Sequence, residues 1–179
     1  MSKTIIGKAL PNIPWEDKPA GSSDVMWRYS GNPIIDWNPI PKAARVYNSA
    51  VVPFKGEFAG VFRADQKNGR ATLFSGKSKD GLKINLDPDP IAWVDENGNP
   101  NPTSYAYDPR VVEIEGKFYV SWCDDLHGAS IGLGWTEDFK TFVRLPNPLM
   151  PFNRNGVLFP RKINGKYVLL SRPSDSGHT

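Results

Sequence analysis

Asp108 stands between Tyr107 and Pro109 in the segment SYAYDPRVV, directly ahead of an apolar run. A carboxyl group partly buried beside aromatic rings is disfavoured as the anion, which suits a general acid. The plainer reading of the same residue is a turn Asp at a strand start. Asn48 and Ser49, in RVYNSAVV, are neutral groups able to hydrogen-bond sugar hydroxyls, and a strand-edge Asn with a capping role is the alternative. Arg63 follows in GVFRAD. Arg154 in FNRNGVLFPRKI and Arg172 in SRPSD bring planar guanidinium groups that grip phosphate or carboxylate in a bidentate manner. Taken singly, each also reads as half of a surface ion pair. Arg110 and Arg161, each just after a Pro, read as structural.

Other polar and aromatic residues point less far. Asp124, Asp125 and His127 would make three metal ligands with no fourth nearby, so no metal is expected. Cys123 reads as a small core residue, and Trp122, Trp135 and Tyr119 as core rather than a sugar platform. The acids of NLDPDPIAWVDENGNPNP lack the spacing of a calcium loop, which leaves a solvated loop or the lining of a substrate groove.

Composition bounds the class of protein that can carry this chemistry. With 17 Pro and 16 Gly in 179 residues, a helical bundle is excluded, because both residues interrupt helices. Aromatic residues at 12% supply a core and argue against wholesale disorder. The net charge of +3 is spread thinly and forms no basic run, so no nucleic-acid partner is expected. No apolar run reaches the ~18–20 residues that span a bilayer, and the opening MSKTIIGKALPNIPWEDKP has no apolar signal core. These features suit a cytoplasmic, metal-poor, mainly β domain.

The elements that must position the candidate residues are short strands. Residues 1–44 are rich in Pro and Trp and read as an extended arm wrapping the domain, with Trp15, Trp27 and Trp37 seeking burial. From Arg45 onward, strands are expected at 46–53, 58–64, 72–78, 111–114, 118–123, 131–136, 157–163 and 167–171, with KGE, KNGR, EGK and NGK as turns. VVPFKGEFAGVFRAD, VVEIEGKFYVSWCDD and LFPRKINGKYVLLSRPS share one layout, and SKDGLKI matches TEDFKTF. A β-rich repeat of roughly 50–60 residues has the size of a propeller blade; three unrelated hairpins in a sandwich is the alternative. Residues 45–179 then hold about two and a half blades, with blade one ending near residue 100, where closure takes ~4–8. The expectation is an all-β, incomplete propeller, completed by a missing C-terminal half or a second chain. At its axial mouth, Asn48 and Ser49, Tyr107 and Asp108, and Arg154 occupy matching places.

The segments IIGKALPNIPW, VYNSAVV, GVFRAD, YAYDPRVV, WTEDFKTF, NRNGVLFPRKINGKY and LLSRPSDSGHT together resemble glycoside hydrolase family 130, over the whole chain but about the first half of a family member. The resemblance implies a five-bladed propeller and inverting phosphorolysis of β-1,4-mannooligosaccharides or mannosyl-N-acetylglucosamine, releasing α-mannose 1-phosphate. It implies Asp108 as the general acid, Asn48, Ser49, Arg63 and Tyr107 holding the mannosyl unit, and Arg154 and Arg172 at the phosphate site. The acid would pass its proton through the mannose 3-hydroxyl. The co-substrate is inorganic phosphate, with no metal or organic cofactor and a possible homo-oligomer.

Chemistry agrees with that assignment. Inverting hydrolysis needs a second carboxylate to activate water. Phosphate is already an anionic nucleophile, so one acid and a cationic cradle suffice. A β-mannoside hydrolase on the same scaffold is the first alternative, and Arg154 and Arg172 argue against it. An inactive or glycan-binding fragment is the second.

Overall fold

A computed structural model describes residues 16–174, and every regular element among them is a β-strand. Strands β1 (Arg45–Phe54), β2 (Glu57–Asp65), β3 (Ala71–Ser78) and β4 (Asn85–Pro90) form an antiparallel sheet in sequence order. A second sheet is built from β5 (Trp93–Val94), β6 (Ala106–Ile114), β7 (Lys117–Asp124), β8 (Ser130–Thr136) and β9 (Phe142–Leu145), in the order β5-β9-β8-β7-β6. Strands β10 (Asn153–Leu158) and β11 (Leu169–Pro173) pair as a hairpin. The described strands close no ring.

Three of the turns expected from Gly are two-residue turns with both residues at positive φ: Lys55-Gly56, Glu115-Gly116 and Asn164-Gly165. That conformation matches the twist of the strands it joins. In the fourth, Gly69 takes positive φ and its amide donates to the Gln66 carbonyl. The second repeated segment also recurs in atomic detail. Asp80 Oδ1 accepts from the amides of Leu82 and Lys83, and Asp138 Oδ1 from those of Lys140 and Thr141. Ser78 Oγ accepts from the Gly81 amide as Thr136 Oγ1 does from Phe139. Gly81 and Phe139 both take positive φ. A bulky residue held there is strained. Phe139 is fully buried, and its ring lies 5.0 Å from Phe118 and 5.2 Å from Phe54.

Side chains alternate across each strand, and this assigns every face. Ala59 and Val61 of β2 face Val120 and Trp122 of β7 in one core cluster with Trp93, Phe139 and Phe142. Trp93 stacks on Trp122 at 4.4 Å, and a Cβ added at Gly132 would overlap the Trp122 indole. Full burial of one such side chain contributes about 2–3 kcal/mol. The opposite face of β7 turns to the third hairpin: Ser121 Oγ donates to the Gly156 carbonyl, and Tyr119 and Tyr167 share a hydroxyl bond of 2.8 Å.

Several expectations are corrected. The 85–102 segment is not all loop: β4 and β5 lie in it, and β5 pairs in parallel with β9 of the second sheet, so Trp93 and Val94 leave the first. Pro88 and Pro90 are tolerated because β4 is an edge strand. The third hairpin begins at Asn153, ahead of the expected 157, and β11 runs from 169. Trp37 is 65% exposed, with the Arg45 guanidinium 4.6 Å above its ring. Trp27 is half-buried and donates to the Glu16 carbonyl; Trp15 lies outside the described residues. Trp135 and Tyr119 are half-buried, whereas Trp122 and Cys123 are core.

Asp138 supplies a pH test of the repeated turn. Burial pushes its carboxyl up, but the amides of Thr141 and Lys140 outweigh that and hold it below its ordinary value. Its contribution is therefore present at neutral pH and is lost as pH falls from about 4 through the folded-state value. Asp138→Ala is expected to cost about 1 kcal/mol at pH 7, and nothing once the carboxyl is protonated. Urea midpoints of both proteins across pH 7 to 3 check this.

Candidate active site

All three strands that start their unit, β1, β6 and β10, carry a bulge near the same end. The registers slip between Val46 and Ser49, between Tyr107 and Arg110, and between Arg154 and Val157. A bulge inserts one unpaired residue and re-aims side chains, often beside active sites. In β6 the first extra residue is Asp108, and in β10 it is Asn155; both sit at positive φ, 50° and 55°. Asp and Asn tolerate that region better than most, yet it still carries strain.

Asp108 is thereby turned toward the first sheet. Its Oδ1 accepts from Arg63 Nη1 at 2.9 Å, and its side chain is 19% exposed. Its Oδ2 accepts no hydrogen bond from any described residue. The carboxyl is partly buried with aromatic rings nearby, as expected, but its bonded partner is a guanidinium. Arg63 is itself framed by the rings of Tyr47 and Tyr107, with centroids at 4.9 and 5.3 Å, and Asp65 Oδ1 lies 3.5 Å from its Nε. Burial works against the Arg63 charge, but the hydrogen bond to Asp108 and the charges of Asp65 and Asp108 raise its pKa above the usual value.

On its other side the site reaches the third hairpin through Tyr107. Arg154 Nη1 donates to the Tyr107 hydroxyl at 3.3 Å. Arg154 and Arg172 are direct cross-strand partners; Arg154 is buried and Arg172 exposed. Like charges directly opposite one another repel. The Cys123 thiol donates to Asn155 Oδ1 at 2.8 Å and accepts from the Asn155 amide at 3.3 Å. Burial pushes both the Cys123 thiol and the Tyr107 phenol up, so each keeps its proton at neutral pH.

Beside Asp108 opens a cleft of about 310 Å³ lined by Asn48, Ser49, Asp108, Pro109 and Arg110. Asn48, Ser49, Arg63, Tyr107, Asp108, Arg154 and Arg172 therefore belong to one connected region. Arg110, expected to be structural, lines the cleft and donates to the Asp108 carbonyl at 3.3 Å. Arg161 is exposed, over Phe159. Asp124 is buried and paired with Arg144 at 2.9 Å, and Asp125 is taken up by Ser104. Four participants escaped the sequence reading: Tyr47, Asp65, Asn155 and the polar role of Cys123. For Asp65 a signal existed, because two residues apart on a strand means the same face as Arg63.

The sequence pattern of the family described as beta-1,4-mannooligosaccharide phosphorylase matches residues 7–179. A beta-1,4-mannooligosaccharide phosphorylase of Ruminococcus albus is 52% identical over 99% of this chain and 55% of that protein. The chain belongs to glycoside hydrolase family 130. A 1,2-beta-oligomannan phosphorylase of a Thermoanaerobacter species is 28% identical over 81% of this chain and 52% of that one. The fold is also that of a beta-1,2-mannobiose phosphorylase from Listeria innocua, with a TM-score of 0.67 at 21% identity, over 86% of this chain and 60% of that one. The chain spans about half the length of the curated relatives it matches.

The bulge at Asp108 gives a test of how this family-130 site is held. Asp108→Asn keeps a residue that tolerates positive φ and an oxygen for Arg63, whereas Asp108→Ala loses both. The Ala variant is expected to be less stable than the Asn variant by about 1–2 kcal/mol. Denaturant midpoints decide it, and equal values would mean that this side chain does not hold the bulge.

Proposed function

We propose that the protein is an inverting phosphorylase of β-1,4-mannosides that releases α-mannose 1-phosphate. The observation that carries this is the composition of the site. Among the described residues the cleft lining holds one carboxylate, Asp108, and the adjoining hairpin pairs Arg154 with Arg172. An inverting hydrolase would need a second carboxylate about 6.5–9.5 Å from the first to activate water. Asp65 does not line the cleft and stands against Arg63 instead. The likeness to the Ruminococcus albus phosphorylase supports the linkage and the nucleophile.

In this reading Asn48, Ser49, Arg63 and Tyr107 hold the mannosyl unit. Phosphate sits between Arg154 and Arg172. A phosphate oxygen bonds to the anomeric carbon as the bond from that carbon to the glycosidic oxygen breaks. Asp108 supplies the proton that the leaving oxygen takes, by way of the mannose 3-hydroxyl, and Oδ2 is the atom placed to carry it. The acidic proton of the phosphate monoanion or dianion then restores Asp108, so the cycle balances. Bidentate, charge-assisted contacts of this kind contribute about 1.5–3 kcal/mol each. No cofactor takes part.

The same proposal takes the two sheets and the hairpin as blades of a five-bladed propeller in the cytoplasm. Further sequence or a second chain supplies the remaining blades. The fold likeness to the Listeria structure and the face-to-face packing of the sheets support the blade reading.

Arg154→Ala and Arg172→Ala should each raise the phosphate KM ten- to a hundredfold, about 1.5–3 kcal/mol, with a far smaller change in the mannoside KM. Lys at either position should recover part of the loss, because an ammonium keeps the charge and loses the fork. Initial rates over a phosphate titration read this out. An unchanged phosphate KM in both Ala variants would place the anion elsewhere.

A further inference from the structure

The segment NLDPDPIAWVDENGNPNP, which reads from sequence as a solvated loop or as the lining of a substrate groove, runs past the same end of the second sheet as Asp108. The strand pairing sets this. Strand β6 begins at Ala106, which stands opposite Asp124 at the end of β7, and Asp124 stands opposite Ser130 at the start of β8. Strand β9 runs antiparallel to β8, and β5 parallel to β9, so the chain leaves both at that end, at Asp95 and at Pro146. Between these two exits and the β7–β8 turn opens a separate cleft of about 460 Å³, with Asn97, Asn101, Leu126, Pro146 and Asn147 in its lining.

A buried ion pair fixes the floor of this cleft. Arg144 and Asp124, with side chains 11% and 1% exposed, bond at 2.9 Å. Arg144 also donates to the Pro102 carbonyl at 2.7 Å, Asn147 Nδ2 donates to Ser130 Oγ at 3.2 Å, and Ser104 donates to Asp125. A buried pair repays little in net stability; what this one does is hold three loops in a single geometry. Above the floor the lining is amphipathic. Asp95 turns its carboxylate into its own loop, accepting from the amides of Asn97 and Asn99, each at 2.8 Å. That leaves the side-chain amides of Asn97 and Asn101, the Glu96 carboxylate, and the apolar surfaces of Pro146 and of Leu126, which is 44% exposed. A sugar ring presents hydroxyls at its edge and C–H groups on its face, and a lining of this kind meets both.

We propose that this cleft binds mannosyl residues in the leaving part of the substrate chain, as a subsite remote from the scissile bond. This rests on the phosphorylase reading, with Asp108 as the acid. An acid stands on the side of the leaving group, so the leaving chain starts beside β6. Neighbouring strands lie about 4.8 Å apart, and β9 is the third strand out from β6, which puts the cleft roughly 14 Å from Asp108. That is the length of two or three sugar residues. A chain passing outward across the ends of β6, β7 and β8 reaches the cleft, whereas a disaccharide is too short.

The test is chain-length dependence in the full-length enzyme at saturating phosphate, with β-1,4-mannobiose, mannotriose, mannotetraose and mannopentaose as substrates. The wild type is expected to show a several-fold higher kcat/KM for mannotetraose than for mannobiose. Asn101→Ala and Leu126→Ser should each lower the value for mannotetraose roughly two- to tenfold, the range of one hydrogen bond or one apolar contact, and leave that for mannobiose within about twofold. Asn97→Ala, at an exposed position, serves if Asn101→Ala does not fold. Equal kcat/KM for the two substrates in the wild type overturns the inference, and so does a chain-length preference that survives in the folded variants. An equal loss on both substrates also overturns it, because it marks a structural role for these side chains. Mannose 1-phosphate separates the two readings. If the wild type forms it from mannobiose and the variants keep the preference for long chains, only the cleft assignment fails. If no substrate yields it, the phosphorylase reading fails. Calorimetric titration of mannopentaose into the wild type and Leu126→Ser then decides the cleft by itself: weaker binding in the variant upholds it, and equal affinities overturn it.

Discussion

The guanidinium of Arg63 joins the two sheets where their shared apolar core gives out. Below it, Ala59, Val61 and Trp122 exclude water; above it, the cleft is open. At that boundary the cation meets Asp108 from the second sheet, Asp65 from its own strand, and the faces of Tyr47 and Tyr107. A charge at the margin of a core is costly unless it is paired. Here the pairing that meets this cost also fixes the direction of the carboxylate assigned to the chemistry.

Strain enters at the same level. Each leading strand is bulged, and in β6 and β10 the bulge places a non-glycine residue at positive φ. The bulges are tied to one another across units: Asn155 to Cys123, Cys123 opposite Tyr107, and Tyr107 beside Asp108. Backbone strain persists where surroundings over-determine it, and such places cluster at functional sites. The repeated blade-like unit thus supplies the same irregularity several times, and the identity of the bulged residue decides what each copy does.

Much of this was legible in the residues. Lys55-Gly56, Glu115-Gly116 and Asn164-Gly165 announced their hairpins, and Ser78 and Asp80 announced the same turn as Thr136 and Asp138. Asn48, Ser49, Asp108, Arg154 and Arg172 stood out because few other polar residues recur at the starts of the repeats. Illegible features were those set by partners far off in the chain. Strand β4 was hidden by its prolines, which only an edge position permits. The two residues of β5 are a strand only because β9 lies beside them. Trp37 stays exposed, with the Arg45 guanidinium over its ring. The tie between Arg63 and Asp108 spans two sheets, and no local pattern announces it.

The central claim is that one carboxylate and a cationic cradle use phosphate as the nucleophile. The most direct measurement follows β-1,4-mannobiose and the full-length enzyme by phosphorus and proton NMR, with and without inorganic phosphate. The account predicts equal amounts of mannose and mannose 1-phosphate, the latter as the α-anomer, and no turnover when phosphate is left out. Free mannose alone, formed at a rate indifferent to phosphate, would contradict it.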